Sequence, residues 1–156
     1  MVQSPPTTDA SDLALLRATP ISRARMDLLW LDPPHLAALR RQVGADGRVT
    51  LAIEDGTETR SHTLTIADLD WAKRIEAIVD QGFAAGELGM YQDAIGFYRE
   101  ALALAPGCDL FLMSIGSALA MLGDLDAGAA FLARALEISP TNTRIRGNYD
   151  LLQAQL

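Results

Sequence analysis

A period of 34 residues governs the second half of this 156-residue chain. Residues 75–108 and 109–142 align without a gap. Gly82 falls on Gly116, Ala84 on Ala118 and Leu88-Gly89 on Leu122-Gly123. Further along, Phe97 falls on Phe131, Ala101-Leu102 on Ala135-Leu136 and Pro106 on Pro140. A fixed period of this length marks a unit that buries its apolar face by stacking on copies of itself. Inside each copy the apolar spacing is helical: Ala94, Tyr98, Ala101 and Leu102 share one face. Gly89 and Gly123 stand where the first helix of each copy must end, and glycine takes the left-handed cap at little cost. Pro106 and Pro140 cannot continue a helix and so separate one copy from the next. Small residues at 82, 101, 116 and 135 let neighbouring helices approach closely.

These residues and spacings resemble the tetratricopeptide repeat, a helix–turn–helix unit of the same length. The first copy holds Gly82 and Gly89 in and after its first helix, then Ala94, Tyr98 and Ala101 in its second. The second copy carries Gly128 where alanine is usual and Leu132 where an aromatic is usual. A third first-helix begins near Thr143 and runs to Leu156, with no second helix after it. The resemblance covers 75–156. It implies a mainly α fold: a short tetratricopeptide helical array of about two and a half repeats over 66–156, divided as 75–108, 109–142 and a half repeat 143–156. Arrays of this kind need about three units and caps to close their core. The part before the array therefore packs against the first repeat, or the protein dimerises.

In this family the first helices of the repeats line a concave surface that holds a partner segment. The family's carboxylate-clamp members present Lys and Asn there. The matching places here are Val79, Phe83, Ser114, Arg144 and Asn148, and three of the five lack the chemistry of a clamp. What remains is apolar. The resemblance implies a partner-binding set of Val79, Phe83, Leu110, Met113, Ser117, Met121, Arg144 and Asn148. Methionine suits an adaptable surface that accepts apolar side chains. Two readings stand side by side: a groove for an apolar peptide or amphipathic helix, or a face covered by the protein's own N-terminal part and by plain inter-helix packing. Acidic flanks such as Asp80 and Glu87 favour a partner with basic residues around its apolar anchors. Residues 82–136, above all FLMSIGSALAMLGDLDAGAAFL, are also similar to the class II chaperones of type III secretion. Those small acidic cytosolic repeat proteins hold apolar translocator segments before export. A bacterial secretion adaptor or chaperone is what this likeness implies.

Ahead of the array, residues 1–8 read as a flexible leader and 9–65 as a small α+β cap containing a β-hairpin. Asp9–Ala18 forms a short helix. MDLLWLD (26–32) reads as a strand, ended by Pro33-Pro34. Residues 34–44 read as a helix stopped at Gly44. Val49, Leu51 and Ile53 alternate within RVTLAIE, a half-buried strand over 48–54. Asp55-Gly56 signals a hairpin, and 57–63 returns, giving a βαββ-like order. Thr65 caps a long helix from Ile66, with Asp68 three residues on as an imperfect capping box.

Composition narrows the function. Thirteen basic against twenty acidic residues leave a net charge of −7, and residues 67–156 hold −6 of it, from six basic and twelve acidic residues. Such a chain is a poor binder of nucleic acid or anionic membrane. No apolar run is long enough to span a bilayer, and the first residues lack a secretory pattern, so the expected compartment is the cytoplasm. One cysteine, Cys108, excludes an internal disulfide and a cysteine-cluster zinc site. It has no basic neighbour in sequence to activate it. His35 and His62 lie in different elements, with His62 placed on the exposed face of the hairpin. Asp124 and Asp126 lack the rest of a calcium loop and read as helix caps. Trp30 and Trp71 read as core residues or staples between cap and array. No constellation of nucleophile, base and metal ligand emerges. The expectation is a non-enzymatic interaction module without a cofactor, or a structural subunit or homodimer that buries the same face permanently.

Overall fold

The computed structural model describes residues 10–55 and 57–156. The leader expected over 1–8, and Gly56 of the hairpin turn, lie outside the described residues. The order is α1 (Ala10–Arg17), α2 (Arg23–Leu29), α3 (Pro33–Arg41), β1 (Arg48–Asp55), β2 (Glu58–Thr65), α4 (Ile66–Glu87), α5 (Tyr91–Leu104), α6 (Asp109–Met121), α7 (Leu125–Ile138) and α8 (Thr143–Gln153). The fold is mainly α, with a two-stranded antiparallel hairpin before a helical array, as the sequence implies. The chain divides into two compact units: Ile21–Ala77, and the residues up to Pro20 together with Ile78–Leu156.

In the unit Ile21–Ala77, side chains fix each helix start. Ser22 accepts the N–H of Arg25 at 3.2 Å and opens α2. Asp32 accepts the N–H of His35 at 3.0 Å and opens α3. Pro33 and Pro34 fill the first helical positions, where a missing N–H costs nothing. The strand expected at 26–32 is therefore the last turn of α2, over 26–29, followed by the turn that leads into α3. The proline pair starts α3 instead of ending a strand, and Met26 and Leu28 are buried from a helical turn. The order is ααββ, not βαββ.

The hairpin pairs from Arg48↔Thr65 to Asp55↔Glu58. Val49, Leu51 and Leu64 point inward and join Leu28, Leu39, Leu69 and Ala72 in one core, with Trp71 half-buried against it. Thr65 and Asp68 form the expected capping box. The Thr65 N–H donates to Asp68 Oδ2 at 2.9 Å, and the Asp68 N–H donates to Thr65 Oγ1 at 3.3 Å.

In the other unit, α5 to α8 follow the repeat. Gly89 and Gly123 end their helices at φ +74° and +89°, the conformation their placement demanded. Phe111, Leu112, Ile115, Phe131, Leu132 and Ile145 are fully buried. Helices α6 and α7 cross at Gly116 and Gly128: a Cβ on either would lie within 3 Å of the other's carbonyl oxygen. The buried Asp109 at the start of α6 accepts the Ser139 hydroxyl at 2.6 Å, which ties the end of α7 to the start of α6. Cys108 is buried at the N-cap position of α6. Asp124 occupies the N-cap position of α7, but its side chain makes no capping bond, contrary to expectation. Helix α1 belongs to this unit and lies beside α7.

Candidate partner-binding face

The eight residues expected to meet a partner sit on α4, α6 and α8, the first helices of successive repeats. Phe83 is 62% exposed and Met121 is 64% exposed. Val79, Leu110, Ser117 and Asn148 are half-buried, and Arg144 is exposed. Met113 is 3% exposed and is a core residue, not a surface one. Helical geometry explains the difference. At about 100° per residue, Leu110, Ser117 and Met121 fall within about 20° of one line along α6, whereas Met113 is turned about 60° from it. Four-residue steps place Val79 with Phe83 on α4 and Arg144 with Asn148 on α8.

A polar end joins this face. Asn148 Nδ2 donates to Ser117 Oγ at 3.2 Å and links α8 to α6. Ser114 Oγ donates to the Leu110 carbonyl at 2.8 Å. Tyr98, from α5, hydrogen-bonds with Ser114. Burial pushes its phenol above the ordinary value, while the Ser114 bond and the Arg144 charge oppose the rise. Ser114, Asn148 and Arg144 are thus gathered around α6 and α8, with Tyr98 as the residue that sequence reasoning assigned only to packing. Its position in the repeat was legible, but its hydroxyl contact across helices was not.

The second polar cluster lies in the unit Ile21–Ala77. Asp27 is 4% exposed. Arg60 grips both its oxygens, Nε to Oδ2 and Nη2 to Oδ1, each at 2.9 Å. His62 Nε2 lies 2.7 Å from Oδ2. Burial pushes the Asp27 carboxyl up, but the Arg60 and His62 hydrogen bonds and their charges outweigh it and hold it below the ordinary value. His62 is consequently on the covered face of the hairpin, not the exposed one: its side chain is 15% exposed. The register shows why. His62 pairs with Leu51 and Arg60 with Ile53, so both share the inward side of β1. Alternation in β2 held that signal, and Asp27 supplies the partner that makes an inward histidine tolerable. Nearby, Asp68 accepts Arg25 Nε at 2.9 Å, and the Arg25 guanidinium lies 4.6 Å from the Trp71 ring centre. His35 Nδ1 meets Asp32 at 2.6 Å on the surface of α3. Among the described residues, no group of three or more His, Cys, Asp or Glu is placed to hold a metal. No described helix is long and apolar enough to cross a membrane.

Residues 87–156 match the family described as Tetratricopeptide repeat. The match spans α5 to α8 and supports a tetratricopeptide protein; the first-repeat helix within α4 precedes it. A comparison with curated proteins finds no match. Tetratricopeptide repeats generally mediate protein–protein interaction, and domains built from them are typically non-enzymatic. That is the class of function to which the tetratricopeptide segment points. The face described above lies on its first helices.

Proposed function

We propose that the first-helix face of the array binds an apolar or amphipathic segment of a protein partner. The observation that carries this reading is the exposure of Phe83 and Met121, two large apolar side chains at the helix positions a partner would meet. Aromatic and methionine side chains of this kind are typical interface anchors. Val79 and Leu110 supply an apolar surround, and Ser117, Asn148 and Arg144 a polar margin. Residues 78–156 carry four basic and nine acidic residues, so basic residues flanking the partner's anchors are favoured. The likeness of 82–136 to class II secretion chaperones supports one particular form: a bacterial, cytoplasmic accessory that holds an apolar segment of an exported protein.

The test uses the full chain and a fluorescent amphipathic peptide with leucine anchors and lysine flanks. Phe83→Asp and Met121→Asp are expected to weaken binding about tenfold or more each, with unchanged helicity, because both side chains are already in solvent. Unchanged affinity in both variants refutes the proposal. A melting temperature that rises with protein concentration points instead to permanent burial of the face between two copies.

A further inference from the structure

Residues 10–20 are seated on the array itself, away from the first-helix face. Residues 10–20 run along α5 and α7, the second helices of the repeats. Three anchors hold them. Asp12 is 4% exposed, and its carboxylate lies 2.8 Å from Arg99 Nη2 of α5. Arg134 of α7 donates from Nη2 to the Ala18 carbonyl at 3.3 Å. Pro20 rests on Gly107, where a Cβ would come within 2.5 Å of the proline Cα. Between these anchors the fit is loose. A cavity of about 440 Å³ opens between the segment and α7, lined by Leu16, Arg17, Ala130, Ala133, Arg134 and Glu137. Leu13 is 38% exposed.

Helix α1 has eight residues. Isolated helices below about 12–15 residues are marginal in water, so the seat orders this one. A segment shaped by its seat, pinned at a few points and loosely packed between them, is bound in the manner of a peptide ligand. The chemistry of the seat is also distinct. Of the four cations in 78–156, Arg99 and Arg134 both face it; Arg134 is paired with Glu137 at 3.1 Å, so Arg99 is the charge that selects a carboxylate at the place of Asp12. We infer that the α5–α7 surface is a docking site for a short acidic helix of a protein partner, which displaces residues 10–20. The occupant it selects is opposite in charge to the one favoured on the first-helix face, so the two sites fail or succeed independently.

The experiment uses the full chain and a labelled peptide of residues 9–20, DASDLALLRATP, read by fluorescence anisotropy. In the unaltered protein the tethered segment competes, and apparent affinity falls with the fraction of open seats. Asp12→Lys places two cations against each other and opens the seat. It is expected to bind the peptide about tenfold or more tightly than the unaltered chain. Adding Arg99→Glu to that chain restores opposite charges across the contact, closes the seat again and is expected to return peptide uptake to the level of the unaltered chain. Asp12→Asn is the gentler variant and is expected to lie between. Equal uptake by the unaltered and Asp12→Lys chains overturns the inference, as does uptake by the Asp12→Lys chain that adding Arg99→Glu leaves undiminished. Unfolding of both Asp12 variants at the assay temperature overturns it too, since a segment on which the fold depends cannot be displaced.

Discussion

Replacing Gly128 with alanine should destabilise the protein, although alanine is the better helix former and the usual residue at this place in the repeat. The new Cβ would stand 2.8 Å from the Gly116 carbonyl oxygen and 3.3 Å from the Ala120 nitrogen, both backbone atoms of α6. Backbone cannot swing away as a side-chain tip can. Restoring contact distance requires α7 to retreat by about half an ångström along a fully packed interface, and such overpacking costs about 1–3 kcal/mol. Helix propensity returns about 1 kcal/mol. The net loss is about 1 kcal/mol, which lowers the melting temperature by about 2–4 °C for a chain of this length. Gly116→Ala should behave alike, since its Cβ would meet the Gly128 oxygen and Leu132 Cγ at 2.9 Å. Gly96 and Gly147 are the controls: both are helical, and a Cβ at either meets nothing within 4 Å. Alanine there should raise the melting temperature by about 2–3 °C. Thermal melts of the four variants, followed by circular dichroism, decide the matter. If Gly128→Ala stabilises as much as Gly96→Ala, the α6–α7 contact is not close enough to matter and the reasoning is wrong.

Met113→Asp should unfold the array, because it puts a carboxylate into a site that is 3% exposed, whereas Met121→Asp should leave the melt unchanged. Thr65→Ala should cost about 1 kcal/mol through loss of the cap on α4, read from chemical denaturation. Asp27→Ala should cost about 2 kcal/mol, since Arg60 then keeps only the longer contacts to Glu58 at 3.4 Å and Asp55 at 3.6 Å, and the covered His62 loses its partner. Asp27 and Asp68 are both held below their ordinary value of 3.8. Each is therefore charged and stabilising above that pH, and its contribution disappears as the pH falls through the lower folded values. Acid titration should loosen the unit Ile21–Ala77 below about pH 4, seen as a change in the fluorescence of Trp30 and Trp71, both of which lie in it; no change down to about pH 2.5 would count against these ion pairs.

The repeat made the array legible because each of its signals is local. Gly89, Gly123, Pro106 and Pro140 state where helices stop without reference to the rest of the chain. The hairpin was legible for the same reason, and so was the Thr65 cap. Misreadings arose where a distant partner decides. The run 26–32 is the exception: it has no clear period, and the local caps at Ser22 and Asp32 mark two helix starts in place of a strand. His62 was inward by strand alternation alone, but an inward histidine is plausible only once Asp27 is known to meet it. Gly128 looked like a weakened repeat position, yet it is one half of a reciprocal glycine contact. For the face on α6, seven- and eleven-residue steps from Leu110 keep Ser117 and Met121 in line, while a three-residue step carries Met113 inside.

The placement of residues 10–20 has a consequence for synthesis on the ribosome. Ala18 and Arg134, which join in the finished protein, are 116 residues apart in the chain. At about 5–20 residues per second, translation leaves the leading helix waiting roughly 6–23 seconds for its resting place to exist. During that interval a nascent chain offers Asp12 and its leucines to whatever else is at hand, including the completed arrays of earlier chains on the same message.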